Sequence, residues 1–194
     1  MQYYNTHAYE YSAKTLPIDL SNLYARFLRT IPKQGFILDA GCGSGRDALH
    51  FLKLGYNVKA FDASPELANL AQNLTGLSVK QLTFEDMIPC SIFDGIWANA
   101  SLLHVPQQEL QGVLHTLYKS LKPGGTLYCS FKYGRTDHTD KRGRRYTNQT
   151  CESLDKHLVG AGFTGRRNIF IQQSTALDGG LQDWVIGLAQ LPQQ

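Results

Sequence analysis

No run of apolar residues in this chain approaches the ~20 that a bilayer-spanning helix requires. The opening stretch MQYYNTHAYEYSAKT also lacks the basic start and apolar middle of a secretory signal. A cytoplasmic protein with no membrane partner is therefore expected. Cysteine is scarce: Cys42, Cys90, Cys129 and Cys151 lie far apart, with no CxxC spacing and no paired histidines. Neither a zinc site nor a redox dithiol is suggested, so no metal is expected and the thiols read as reduced and structural. Cys42 is a partial exception, because it lies inside a glycine loop. The excess of positive charge is only +3, too small by itself to imply nucleic acid or an anionic membrane. Internal repeats and low-complexity tracts are missing as well.

What is present describes an ordered globular chain. Apolar residues make up 42% and charged residues 18%, enough to bury a core that offsets the entropy of ordering the backbone. With 194 residues the reading is one domain over 1–194, in which 1–30 forms an N-terminal helical or lid segment. Nothing in the sequence sets an oligomeric state.

Along the chain, Leu20, Leu23, Tyr24, Phe27 and Leu28 recur at helical spacing between Asp19 and Thr30, after Pro17 and before Pro32. GFILDAGCGSGRDALHFLKLG then reads as strand, glycine turn and helix, and NVKAFDASPELANLAQNL repeats the unit with Ser64 as N-cap and Pro65 in the first turn. Further strands are expected at Leu77–Leu82 and Phe93–Ala98, followed by a helix from Pro106 to Leu121. LKPGGTLYCSFK reads as helix end, turn and fifth strand. The remainder reads as a polar loop over 132–148, a helix from Thr150, and strands at Phe163–Ile171 and Leu181–Leu188. Alternating strands and helices predict an open, mostly parallel α/β sheet that binds its ligand at the carboxyl ends of the strands.

LDAGCGSGR places Gly41, Gly43 and Gly45 at alternate positions between strand and helix, where missing Cβ atoms let the backbone approach a ligand. The spacing is G-x-G-x-G rather than the dinucleotide G-x-G-x-x-G, and Asp39 ends the preceding strand. A carboxylate ~4 to 6 Å from a pyrophosphate costs on the order of kcal/mol at the effective dielectric of a protein site, whereas a cationic ligand gains from it. S-adenosylmethionine, with its ammonium and sulfonium, suits that charge. Asp62, ending the second strand, suits the ribose hydroxyls.

LDAGCGSGR, VKAFDAS, FDGIWANASLLHV and LKPGGTLYCSF occur in this order, and on them the sequence resembles the class I S-adenosylmethionine-dependent methyltransferases over most of its length. The resemblance implies a Rossmann-like three-layer sandwich around a seven-stranded, mostly parallel sheet whose last strand is antiparallel. It also implies S-adenosylmethionine as cofactor and S-adenosylhomocysteine as product. In its finer features the chain looks like small bacterial tellurite-resistance-type methyltransferases, which share Y-x-x-x-A-x-x-Y near the start, SLLHVP and SFKYG. Here, however, RTDHTDKRGRRY stands where that group has an acidic, glycine-containing loop. Position by position, the resemblance puts Asp39, Gly41, Gly43 and Gly45 on the methionine part and Asp62 on the ribose. Ala63 would pack on the adenine, with Thr83, Phe84 and Glu85 at its edge, and Ala98, Asn99 and Ala100 would lie toward the methionine side. An acid near the adenine amino group could be Glu85 or Asp86.

Methyl transfer from a sulfonium releases a neutral leaving group, so no acid is required and alignment should supply most of the acceleration. A thiolate or a selenium or tellurium oxyanion would also need no base. A neutral amine or hydroxyl could use a tyrosine or His104 as general base, His104 being the catalytic candidate. A histidine that merely bonds backbone is an equal reading. Tyr3, Tyr4, Tyr9 and Tyr11 can form an aromatic lid or simply pack on the sheet edge. Tyr4, Tyr11, Arg46, Lys132 and Arg135 are candidates for substrate contact, set against a solvated basic loop and, for Arg46, an ion pair. A small-molecule methyl acceptor is the leading expectation, and nucleic acid is not the expected partner. The rivals are a nucleic-acid or protein methyltransferase, a non-catalytic cofactor-binding protein and, last, an NAD-dependent oxidoreductase.

Overall fold

The computed structural model describes residues 2–176 and 179–193. Two short helices, α1 (Gln2–Thr6) and α2 (Ala8–Thr15), precede α3 (Ser21–Leu28). The first two βα units follow as β1 (Phe36–Ala40), α4 (Arg46–Lys53), β2 (Asn57–Asp62) and α5 (Pro65–Thr75). Ser64 caps α5 by accepting the Leu67 amide through its hydroxyl, the arrangement the Ser-Pro start predicts. Next come β3 (Lys80–Gln81), β4 (Phe93–Ala98), a 3-10 turn at Leu102–His104, α6 (Gln107–Ser120) and β5 (Leu121–Lys132). A small hairpin of β6 (His138–Thr139) and β7 (Arg145–Tyr146) leads to α7 (Cys151–Ala161), β8 (Arg167–Thr175) and β9 (Leu181–Gln190).

The seven-stranded sheet has the order β3-β2-β1-β4-β5-β9-β8. Strands β1 to β5 pair in parallel, and β9 runs antiparallel to both β5 and β8. The last strand is thus the antiparallel one, as expected. Helices cover both faces, so the central strands are buried on alternate sides. On one face Ile37, Trp97, Tyr128 and Ile186 meet Phe27 of α3, Phe51 of α4 and Ala68 of α5. On the other, Leu38, Ile96, Leu127 and Val185 meet Leu110 and Leu114 of α6 and Leu154 and Leu158 of α7. No helix among the described residues is long and apolar enough to cross a membrane.

Three sequence expectations shift. The third strand shrinks to Lys80–Gln81 because Leu77 and Val79 pack into the core under α5, and the Val79 amide donates to the Gln72 side chain instead of the sheet. The strand expected at Phe163 begins at Arg167. Phe163 is fully buried and packs edge-on against Tyr118, having been turned inward by the left-handed Gly162 that ends α7. The polar loop is partly ordered, with Asp140 accepting from the Arg142 and Arg144 amides to close the β6–β7 hairpin.

Candidate functional site

The sheet order reverses between β1 and β4, and there the carboxyl ends of the strands open into a crevice. A cavity of about 340 Å³ occupies it. Gly41, with φ +73°, forms its floor, and a Cβ there would come within 2.5 Å of the Ser101 Cβ. The Ser101 hydroxyl donates to the Ala40 carbonyl at 2.7 Å, so the loops after β1 and β4 are tied together and only glycine fits between them. Gly45 is needed for another reason: it has φ +90°, and a Cβ would press within 3.0 Å of Ala71 in α5. It sets the approach of α4 to α5 and does not face the cavity.

Asp62 at the end of β2 is held rigidly. Its carboxylate accepts the Gly43 amide at 2.7 Å and the Ser64 amide at 2.8 Å. Each oxygen keeps a second lone pair that can take a ligand hydroxyl. Burial raises its pKa and the two amides oppose the rise. Asp39 is not on the cavity wall. It lies behind the glycine loop, and its Oδ2 is buried without a hydrogen-bond partner among the described residues. Burial and the neighbouring Asp47 push its carboxyl well above the usual range, against the pull of Arg46. A buried carboxylate in that state gains from a cationic group brought near it. The acid, the glycine floor and Asp62 together fit a ligand with a cationic end and vicinal hydroxyls.

Ala63, Thr83, Phe84 and Glu85 line the same end of the cavity. Asp86 instead accepts from the Thr83 hydroxyl at 2.7 Å and closes its own turn, which leaves Glu85 as the acid on the wall. Asn99 and Ala100 also line the cavity, whereas Ala98 is buried beneath it. Ala100 adopts φ +51°, a left-handed conformation that costs about 1 kcal/mol or more for a residue with a Cβ. Its amide donates to the Ser130 hydroxyl at 2.7 Å, which secures the turn.

Asp47 was not picked out from the sequence, yet it organises the opposite wall. Its carboxylate accepts from the Tyr24 hydroxyl at 2.6 Å, the Trp97 indole at 2.7 Å, Arg46 Nε at 2.5 Å and Nη2 at 3.1 Å, and Asn99 Nδ2 at 3.4 Å. Burial pushes the carboxyl up, but Arg46 and these donors outweigh it and hold it below the usual range. The remaining Arg46 nitrogen donates to the Thr15 carbonyl at the end of α2. Of its two sequence readings, Arg46 takes the ion pair. The only local hint of Asp47 was an acid directly after Arg46 at a helix start.

Tyr4 and Tyr11 reach the cavity from α1 and α2. Tyr4 donates its hydroxyl to His104 Nε2 at 2.8 Å, because Nδ1 of the same ring lies 2.8 Å from the Arg145 carbonyl and must carry the proton. Burial lowers the His104 pKa to about 4, so the ring is neutral near pH 7. Burial raises the Tyr4 pKa. Lys132 and Arg135 are not on the wall. The Lys132 ammonium stands 3.9 Å over the Tyr146 ring. Arg142 donates to the Tyr3 hydroxyl at 2.8 Å, and Arg144 stacks on Tyr3 while pairing with Asp140. The basic loop therefore grips the outside of the N-terminal segment.

Residues 37–125 match the family described as "Methyltransferase domain". The chain is 30% identical over 155 residues to an 18S rRNA (guanine-N(7))-methyltransferase of Schizosaccharomyces pombe, covering 72% of this chain and 58% of that protein. It is 33% identical over 105 residues to a ubiquinone biosynthesis O-methyltransferase of Xanthomonas oryzae pv. oryzae, covering 48% of this chain and 41% of that protein. The chain thus spans less than two thirds of the length of these relatives. In three dimensions it resembles the 1,6-didemethyltoxoflavin-N1-methyltransferase of Burkholderia thailandensis, crystallised with S-adenosylhomocysteine. That likeness has a TM-score of 0.76 at 22% identity and covers 98% of this chain and 84% of the other. It shows the common fold.

Proposed function

We propose that the protein is an S-adenosylmethionine-dependent methyltransferase acting on a small-molecule acceptor, a reading supported by the match of residues 37–125 to the family described as "Methyltransferase domain" and by the fold it shares with a known methyltransferase. One observation carries the reading: a continuous cavity is lined at one end by the glycine floor and Asp62 and extends to Tyr4 and Tyr11 of the N-terminal helices and Trp184 of β9. It has room for a nucleoside at one end and a modest acceptor at the other.

When bound, S-adenosylmethionine supplies a methyl group made electrophilic by the positive sulfur. The chain's own residues provide position and charge. Asp62 receives the ribose hydroxyls on the lone pairs that the Gly43 and Ser64 amides leave open. Asp39, with the glycine floor of Gly41 and Gly43, favours the cationic methionine end. Ala63 would pack on the adenine, and Thr83, Phe84 and Glu85, which line the same cavity, would border its edge, with Glu85 the acid available to its amino group. Asn99 and Ala100 hold the methionine side, and Gly45 serves the loop by packing α4 on α5. Residues 1–30 act as the lid, in which the Tyr4–His104 bond and the grip of Arg142 and Arg144 on Tyr3 hold α1 over the site and exclude water.

A small acceptor is favoured because α1, α2, the segment leading into α3 and the β8–β9 end line the far end of the cavity on several sides. The basic loop, which would otherwise favour a polynucleotide, spends three of its four arginines, Arg142, Arg144 and Arg145, on Tyr3, Asp140 and Asp137. Calorimetry with S-adenosylhomocysteine and with NAD tests the cofactor, and tight binding of NAD alone would overturn the proposal. An acceptor screen that reads S-adenosylhomocysteine release on small nucleophiles and on RNA tests the rest. Turnover on RNA alone would refute the small acceptor.

A further inference from the structure

The far end of the cavity lies between the carboxyl ends of β5 and β8, the amino end of β9 and the link from α2 to α3. Leu20 and Leu23 line it on one side and Ile186 and Trp184 on the other. The Trp184 indole donates to the Ser174 hydroxyl at 3.0 Å, which holds the ring in a defined plane. Gln172 is its partner across the β8–β9 ladder and lines the same chamber with an amide able to bond the edge of a flat ligand.

Charge narrows the choice of ligand. Among the described residues the cavity wall carries the carboxyl groups of Asp19, Asp47, Asp62 and Glu85 against one cation, Arg46. That cation already serves Asp47 and the Thr15 carbonyl. Asp62 and Glu85 stand at the nucleoside end and Asp47 is balanced by Arg46, so an anionic acceptor at the far end would meet Asp19 and no uncommitted cation. Proton transfer narrows the choice again. His104 has both ring nitrogens engaged, by Tyr4 and the Arg145 carbonyl, and burial leaves it a weak proton acceptor near pH 7. An acceptor that must lose a proton as it reacts finds little help here.

We propose that the acceptor is a neutral, planar heteroaromatic compound stacked on Trp184, and that the methylated atom is a ring nitrogen with a free lone pair. The proposal rests on the methyltransferase reading given above. The nitrogen lone pair forms the new bond to the methyl carbon as the carbon–sulfur bond breaks and its electron pair passes to sulfur. No proton leaves, and the product is an N-methyl cation. The indole face, with Asp19 at the same end, stabilises positive charge as it develops on the ring, so the cavity favours the transition state over the neutral acceptor.

The test uses the full chain saturated with S-adenosylhomocysteine at pH 8, titrated with isoquinoline, which is neutral there, and with the anion 2-naphthoate. Trp184 fluorescence and calorimetry report binding, since the other tryptophan, Trp97, is fully buried. Isoquinoline is expected to bind at least ~10-fold more tightly than the anion. Trp184→Ala should weaken isoquinoline ~10-fold or more with S-adenosylhomocysteine affinity unchanged, while Trp184→Phe stays within a few-fold of the parent. With S-adenosylmethionine, the N-methylisoquinolinium cation should appear by mass spectrometry. Equal or tighter binding of naphthoate, binding of neither ring, or indifference to Trp184→Ala would overturn the proposal. Failure of S-adenosylhomocysteine itself to bind would instead sink the methyltransferase reading.

Discussion

Replacing Asp47 with asparagine perturbs the wall that joins the two ends of the cavity. The carboxylate accepts five hydrogen bonds, two of them from Arg46. Asparagine keeps the shape but turns an amide donor toward donors and leaves the Arg46 guanidinium, 19% exposed, without its counter-charge. Removing one partner of a buried pair costs about 3–5 kcal/mol. For a domain of this size that corresponds to a fall in Tm of roughly 6–20 °C, at about 2–4 °C per kcal/mol. Thermal unfolding followed by circular dichroism at pH 7 measures it. The pH dependence supplies a second check. The folded carboxyl lies below its unfolded value, so its contribution is complete above the unfolded value of about 3.9 and is lost as pH falls through the folded one. The gap between parent and variant should therefore close below about pH 4. Arg46→Met combined with Asp47→Asn should be less destabilised than Asp47→Asn alone, because the orphaned charge is gone. A Tm change under about 2 °C at pH 7, or a double variant that loses the sum of the two singles, would refute this account of the wall.

Asp39→Asn should raise the Tm of the ligand-free protein at pH 7 and weaken S-adenosylhomocysteine binding by ~10-fold or more. The sign follows from its raised folded pKa, since the cost of ionising the buried group grows as pH rises above the unfolded value. Unchanged affinity by calorimetry would remove Asp39 from the site. Gly41→Ala must place a Cβ 2.5 Å from Ser101 at φ +73°. A loss of about 2–4 kcal/mol in urea unfolding is expected, together with weaker ligand binding, and parent-like stability would contradict the close approach. Tyr4→Phe deletes the bond to His104, worth about 1 kcal/mol and thus ~5-fold in lid opening. Trypsin cleavage at Lys14 should speed up accordingly, and an unchanged rate would mean that this bond does not hold the lid.

The elements whose signals are local were legible in the sequence. Ser64-Pro65 started α5, the glycines bent the loop after β1, and the apolar stripe from Leu110 to Leu117 marked the buried face of α6. Most of the residues assigned to the nucleoside end line the cavity, because they follow strand ends whose positions the βα repeat dictates. The misses share a cause. Val79 left the sheet for the core and Phe163 turned inward after Gly162, both because burial outweighed strand propensity. Lys132 and Arg135 lie off the wall: Lys132, at the end of β5, turns its ammonium over the Tyr146 ring, a tertiary contact no local spacing signals, and Arg135 sits in the link that leads to the β6–β7 hairpin.

By itself, the sequence determined the order of strands and helices, the glycine floor and the two strand-end acids, since each depends on neighbours within a few residues. Only the tertiary structure decided the far chamber. Leu20, Leu23, Trp184 and Ile186 are far apart in the chain and meet because β9 inserts between β5 and β8 while α3 packs across that face. The fates of Arg46 and His104 were settled in the same way. Arg46 pairs with the adjacent Asp47, but the Thr15 carbonyl that takes its third nitrogen, and both partners of the His104 ring, come from distant segments. Long-range packing chooses such partners, and no spacing within the chain encodes them.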